Sequence, residues 1–228
     1  MRILGLLLAF FHSTVLAQDP LGTLLGAGVR LRPEYDGASR YELQPIPLLR
    51  YYGGPWFART TQGILEAGAR GEILTGLALG VQIAYEEGND RTGLDPGASF
   101  GLHLEWDTKI GPAPVSILAR GRNHFDTDRG AQTDLRATVG VYGGHGAFVG
   151  VFTQATWATG EWVRSYYGTG DGGLLFVALG VEGAYDLSSR WVILWSVHGR
   201  RLQGDAASSP ITEEKTNYFA SAGLAYRF

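Results

Sequence analysis

Tyr218-Phe219-Ala220-Ser221-Ala222-Gly223-Leu224-Ala225-Tyr226-Arg227-Phe228 closes the sequence and decides how the rest is read. In an extended strand, successive side chains fall on opposite faces. One face carries Tyr218, Ala220, Ala222, Leu224, Tyr226 and Phe228; the other carries Phe219, Ser221, Gly223, Ala225 and Arg227. An apolar face with aromatics at both ends, backed by a small and mostly polar face, suits a strand set between lipid and a crowded polar lumen. The closing hairpin of a soluble sandwich would share the alternation, so the remainder of the chain must decide.

The same pattern recurs upstream. Leu77, Leu79, Val81, Ile83 and Tyr85 oppose Ala78, Gly80, Gln82, Ala84 and Glu86. Phe100, Leu102, Leu104 and Trp106 oppose Gly101, His103, Glu105 and Asp107, and Trp191, Ile193, Trp195 and Val197 oppose Ser196, His198 and Arg200. Twelve such segments can be drawn between Leu21 and Phe228, and the connections between them sort by length. The second, fourth, sixth, eighth and tenth are short. The first, fifth, seventh, ninth and eleventh are long and polar, and only the third, at Gln62-Gly63, breaks the rule by being tight. Short turns on one side and long loops on the other are the arrangement of outer-membrane barrels. The expected fold is therefore all-β: a transmembrane, antiparallel, up-and-down β-barrel of about twelve strands, with ten as the other possible count.

Composition agrees. Hydrophobic residues make up 45% of the chain, yet after the N-terminus no apolar run is long enough for a helical span. Glycine, at 34 residues, allows a closed sheet to curve and leaves room for large lumen side chains. The net charge of −3 offers nucleic acid no basic surface. Without cysteine there is no disulfide or thiolate chemistry. At the N-terminus, Arg2, the apolar stretch Ile3–Phe11 and Val15-Leu16-Ala17 read as a signal peptide spanning 1–17, with the barrel at 18–228. The expected location is the outer membrane of a Gram-negative bacterium. Leu224, Tyr226 and Phe228 resemble the C-terminal signal read by the barrel-assembly machinery, which makes that machinery and outer-membrane lipid the expected partners.

If the apolar faces meet lipid, the lumen receives Arg30, Arg32, Glu66, Arg70, Gln82, Glu86, His103, Glu105, Asp107, Arg120, Arg122, His124, Asp134, Arg136, Glu182 and Arg200. About twelve strands leave room for some lumen water. Side chains of both signs can bridge that width as hydrogen-bonded ion pairs, or they can tune a channel.

Three stretches carry a family resemblance: Arg32-Pro33-Glu34-Tyr35-Asp36-Gly37 followed by Pro45-Ile46-Pro47; Leu202-Gln203-Gly204-Asp205-Ala206-Ala207-Ser208-Ser209-Pro210-Ile211; and the terminal Ala222–Phe228. Tyr166-Tyr167-Gly168 is a weaker fourth. In this order and spacing the chain resembles the MipA/OmpV family. The resemblance implies an outer-membrane barrel, with a murein-synthesis scaffold in contact with a lytic transglycosylase in the best-known member and osmotic or adhesion roles in others. A small-solute channel is the alternative function.

Physically the motifs read as loop chemistry. Pro33 ends a strand by removing a donor, Asp36-Gly37 supplies a turn, and Pro210 restricts its neighbour. Arg32, Glu34, Tyr35, Asp36, Gly37, Gly204, Asp205 and Pro210 are nonetheless the candidate rim site, because Arg32, Glu34, Asp36 and Asp205 would make a ligand or cation site if they met. Catalytic signals are thin. His124 with Asp126 and Asp128 lacks a nearby serine, His198 with Ser196 lies in no known motif, and Asp126–Gly130 lacks the bidentate glutamate of a calcium loop. No catalytic, metal or cofactor residue is assigned, and a non-enzymatic protein is expected.

Overall fold

The computed structural model describes residues 22–61 and 63–228; the expected signal peptide lies outside them. All twelve expected strands form: β1 Leu24–Pro33, β2 Tyr41–Gly53, β3 Trp56–Thr61, β4 Ile64–Leu74, β5 Leu77–Glu86, β6 Gly97–Ile110, β7 Ala113–His124, β8 Ala131–Gly144, β9 Ala147–Ala158, β10 Gly173–Asp186, β11 Trp191–Leu202 and β12 Thr216–Arg227. Each pairs antiparallel with its neighbours in sequence, and β1 pairs with β12, so the sheet closes on itself. Closure pairs most strand backbone groups where lipid offers no partner, the edge of β2 beyond β3 excepted. The loop after β9 holds the helix α1, Gly160–Tyr167, and the loop after β11 holds the short helix α2, Gly204–Ser208.

The side-chain distribution is inside out relative to a water-soluble protein. Val81, Ile83, Leu102, Leu179 and Val197 are exposed on the outer wall, whereas Glu66, His103 and Asp134 are buried within. Exposed aromatics gather near the two rims. Tyr41, Tyr85, Trp157 and Tyr218 lie toward the loop end, and Tyr51, Trp56, Trp106, Trp191 and Phe228 toward the turn end. This is the girdle pattern of a membrane-spanning barrel. In the terminal stretch, Phe219 and Ala225 are buried while Tyr218, Leu224 and Phe228 are exposed. Tyr226 packs edge-on against both Trp191 and Phe228, at 5.2 and 5.0 Å between ring centroids.

Many lumen side chains are buried. On the β10–β12 and β1 wall, Leu24, Ala184, Val192 and Ala225 form a small apolar cluster at the turn end. Most of the lumen charges lie on β3–β8, with Arg30, Arg32 and Arg200 on the β1 and β11 side. Asp107 differs from expectation: it shares the inward parity but sits exposed at the turn end, clear of the lumen charges.

Candidate functional site

Strand register brings the lumen charges into one chain. Arg59 and Glu66 are cross-strand partners in the tight β3–β4 hairpin, and their side chains meet at 2.5 Å. Arg59 also pairs with Glu105, which Arg70 reaches at 2.5 Å. From Glu66 the chain passes to Arg120 at 2.7 Å, on to Asp134 at 2.8 Å, to Arg122 at 3.0 Å and to Glu86 at 2.6 Å. Thr156 donates to Asp134 and Gln82 to Glu66, at 2.8 and 3.2 Å. Four arginines thus alternate with four carboxylates across the barrel. Charge-assisted bonds of this kind hold planar guanidinium groups in fixed directions. Arg59 was missing from the expected lumen set, although its position opposite Glu66 follows from the two-residue turn at Gln62-Gly63.

Aromatics pack between the ions. His198 stacks on Phe219 with centroids 4.7 Å apart, and Arg200 lies over Phe176 and Phe219 at 4.1 and 4.6 Å. Ser196 bonds to Ser221 at 2.9 Å, and neither ring nitrogen of His198 has a hydrogen-bond partner among the described residues, so Ser196 and His198 are not joined as nucleophile and base. Asp126 accepts the Asp128 amide at 3.3 Å, which makes that acidic cluster a turn device.

The long loops close over the mouth. α1 is amphipathic: Trp162, Val163, Tyr166 and Tyr167 are buried, Thr159 caps its start by accepting from the Trp162 amide, and Gly168 ends it with φ 79°. These side chains join Tyr35, Ala38, Leu175, Phe176, Leu202 and Ala206 in a second core lying across the loop end. Polar ties fix it. Asn89 donates to the Tyr166 carbonyl at 2.8 Å, and Ser209 to the Tyr167 carbonyl at 2.9 Å. Burial raises the pKa of the Tyr166 and Tyr35 phenols, keeping both neutral. Beneath the lid lies a cavity of about 80 Å³, lined in part by Arg30, Arg122, Asp134, Trp162, Tyr166 and Phe219; it is room for several waters.

Most motif residues work as ties of this lid. Tyr35 donates to the Ile211 carbonyl at 2.8 Å, and the Gly37 amide donates to Asn217 at 2.7 Å. The Gly37 carbonyl accepts from Glu213 and Glu214. Asp36 pairs with Arg200 at 2.5 Å, and Arg32 with Glu87. Glu34 instead faces outward toward Arg40 at 3.3 Å. Asp205 accepts the Asp171 amide at 2.5 Å, Gly204 takes φ 52° at the start of α2, and Pro210 is exposed. Arg32 and Asp36 therefore meet different partners, and Glu34 and Asp205 point elsewhere. Asn217, Asn89 and Glu87, which carry much of the lid's bonding, gave no sequence signal, because each acts through a partner 42 or more residues away.

A closed twelve-strand barrel with an apolar outer belt, two aromatic girdles and a charged interior is an outer-membrane barrel protein. Residues 25–228 match the family model described as MltA-interacting protein MipA, and the chain belongs to that family. No curated protein matches the chain significantly. Similar solved structures include one described as a bacterial polysaccharide outer membrane secretin, at 10% identity and TM-score 0.45, covering 91% of this chain and 99% of that one. Another is the outer membrane channel DcaP of Acinetobacter baumannii, at 11% identity and TM-score 0.41, covering 92% and 99%.

Proposed function

We propose that this barrel is a non-enzymatic envelope protein that acts by contact, and that its partners are murein-associated periplasmic proteins. The supporting observation is the unbroken ion chain from Arg70 to Glu86 beneath an aromatic lid, side chains that stand where solute would have to pass. The family's description names an interaction with MltA; carried to this chain, it makes a lytic transglycosylase the first partner to test. The turns would offer the contact. Leu74, Ile110 and Leu187 stand 54–71% exposed at the turn end, and a stable interface of roughly 800 Å² per partner needs several turns together. Delivery would follow cleavage after Ala17, with Leu224, Tyr226 and Phe228 read by the assembly machinery.

The test pairs two measurements on the refolded barrel: single-channel conductance, and binding of a purified MltA-type transglycosylase to the barrel in nanodiscs. Silence in the first and saturable binding in the second are expected. Ile110→Glu with Leu187→Glu should weaken that binding at least about tenfold, a loss of roughly 1.4 kcal/mol. Stable conductance with no binding would make the small-solute channel the better reading.

A further inference from the structure

The tight β3–β4 hairpin has a consequence for the barrel wall. Of the thirteen residues of β2, four, Arg50–Gly53, pair with β3. Among the described residues, no strand pairs with the other nine, Tyr41–Leu49, on that side. Continuing the register sets Thr61, the end of β3, level with Leu48. Tyr41 then stands seven residues higher, roughly 23 Å along the strand. Across the hairpin, β5 ends at Glu86, level with Ile64. The wall is therefore notched in its loop-end half, between β2 and the end of β5.

The free edge of β2 has an unusual hydrogen-bonding character. The Leu49 amide donates to the Thr60 hydroxyl at 3.3 Å, so the odd-numbered residues turn their backbone groups toward the notch. Pro45 and Pro47 are odd-numbered and have no N–H. The edge thus keeps its carbonyl acceptors and loses two donors. Proline on an exposed edge blocks pairing with a foreign strand, but the carbonyls still require donors at membrane depth. Behind the notch, Arg30 bonds to Gln44 at 2.6 Å and pairs with Glu87, which also holds Arg32. Arg30 packs so close to Gly63 that a Cβ there would collide with it. With Glu42 3.9 Å from Arg32, two carboxylates face the two guanidinium groups behind the notch, and a further net charge would be buried without a counterion. Around it, Leu43, Leu65 and Ile83 present exposed apolar surface for acyl chains.

We propose that this notch binds the sugar head group of an outer-leaflet glycolipid. Sugar hydroxyls donate to the carbonyls of Leu43, Pro45 and Pro47, the uncharged ring leaves the matched ions undisturbed, and the acyl chains rest on the flanking aliphatics. The occupant is lipid because the notch opens onto the outer wall, and it is an outer-leaflet lipid because the notch lies toward the long loops.

The chain has no cysteine, so single nitroxide labels can be placed cleanly. Leu43→Cys reports on the notch and Leu179→Cys, exposed on β10, serves as control. Each labelled barrel is placed in nanodiscs of phosphatidylcholine alone, with galactosyl diacylglycerol added, or with phosphatidylethanolamine added; heat-modifiable migration confirms folding. Galactolipid should immobilise the notch label and leave the control unchanged, with phosphatidylethanolamine resembling phosphatidylcholine. Pro45→Ala with Pro47→Ala restores donors that a lipid phosphate can use, so it should narrow the difference. Identical notch spectra in all three discs would overturn the proposal. A response to phosphatidylethanolamine alone would also overturn it, by assigning the notch to an ammonium head group.

Discussion

Arg120 is enclosed by the barrel and joins Glu66 to Asp134. Removing it takes one of two arginine partners from each of two buried carboxylates, Glu66 keeping Arg59 and Asp134 keeping Arg122, so Arg120→Ala should cost up to roughly 3–5 kcal/mol, the usual penalty for breaking a buried pair. On the outer wall, Leu79→Arg should cost roughly 2–4 kcal/mol at the bilayer midplane. Urea unfolding in lipid vesicles compares the two, and Arg120→Ala milder than Leu79→Arg would show that lumen water replaces the lost partner. Inward and outward parity was legible residue by residue, because a closed sheet with lipid outside forces strict alternation. Lumen packing was not. Gln82 was expected in a lumen with some water, but it is 3% exposed and bonded to Glu66. An arginine there must overpack its surroundings, at roughly 1–3 kcal/mol.

At the scale of elements, the strands were readable and the loop structure was not. α1 lay hidden in a segment read as a loop, although Thr159 and Gly168 bracket it as cap residues. Its amphipathic face has meaning only against Tyr35 and Leu202, which lie far away in sequence. The contact between the first and last loops can be tested through Glu213. Ser39 donates to its carboxylate from both hydroxyl and amide, at 2.5 and 3.1 Å, which holds its pKa below the usual range. A depressed carboxylate pKa adds stability above the unfolded value of about 4.3, and that stability is lost as pH falls through the folded value. The Ser39 amide resonance should therefore titrate below about pH 4.3 and stay fixed in Glu213→Gln; a resonance that ignores acid in the native chain would remove this tie. Gly37 is a second lever. It holds φ 104°, and an added Cβ would lie 3.2–3.3 Å from Thr212 and Leu202. Gly37→Ala should cost roughly 1–3 kcal/mol in the lid and speed proteolysis of residues 34–40 while the barrel keeps its heat-modifiable migration.

For the whole molecule, loop parity was the strongest sequence signal, and its one exception, the tight third connection, became the notch in the wall. If the ion chain is the seal, the lumen state depends on the interior more than on the lid. Replacing residues 160–170 with a short glycine-serine linker would remove Trp162, Tyr166 and Tyr167 from the mouth, yet the chain Arg70–Glu105–Arg59–Glu66–Arg120–Asp134–Arg122–Glu86 would still cross beneath it. That variant should stay electrically silent in planar bilayers. Arg120→Ala with Arg122→Ala breaks the chain at its middle and leaves Glu66, Asp134 and Glu86 without those counterions, a constriction ringed by negative charge that favours cations. Combined with the loop replacement, it should give resolved, cation-selective steps where each parent gives none. Steps from the loop replacement alone would mean that the lid seals the barrel and the ions merely line it. Silence from the combined variant, shown to be folded by heat-modifiable migration, would place the seal lower, at the apolar cluster of Leu24, Ala184, Val192 and Ala225 near the turn end.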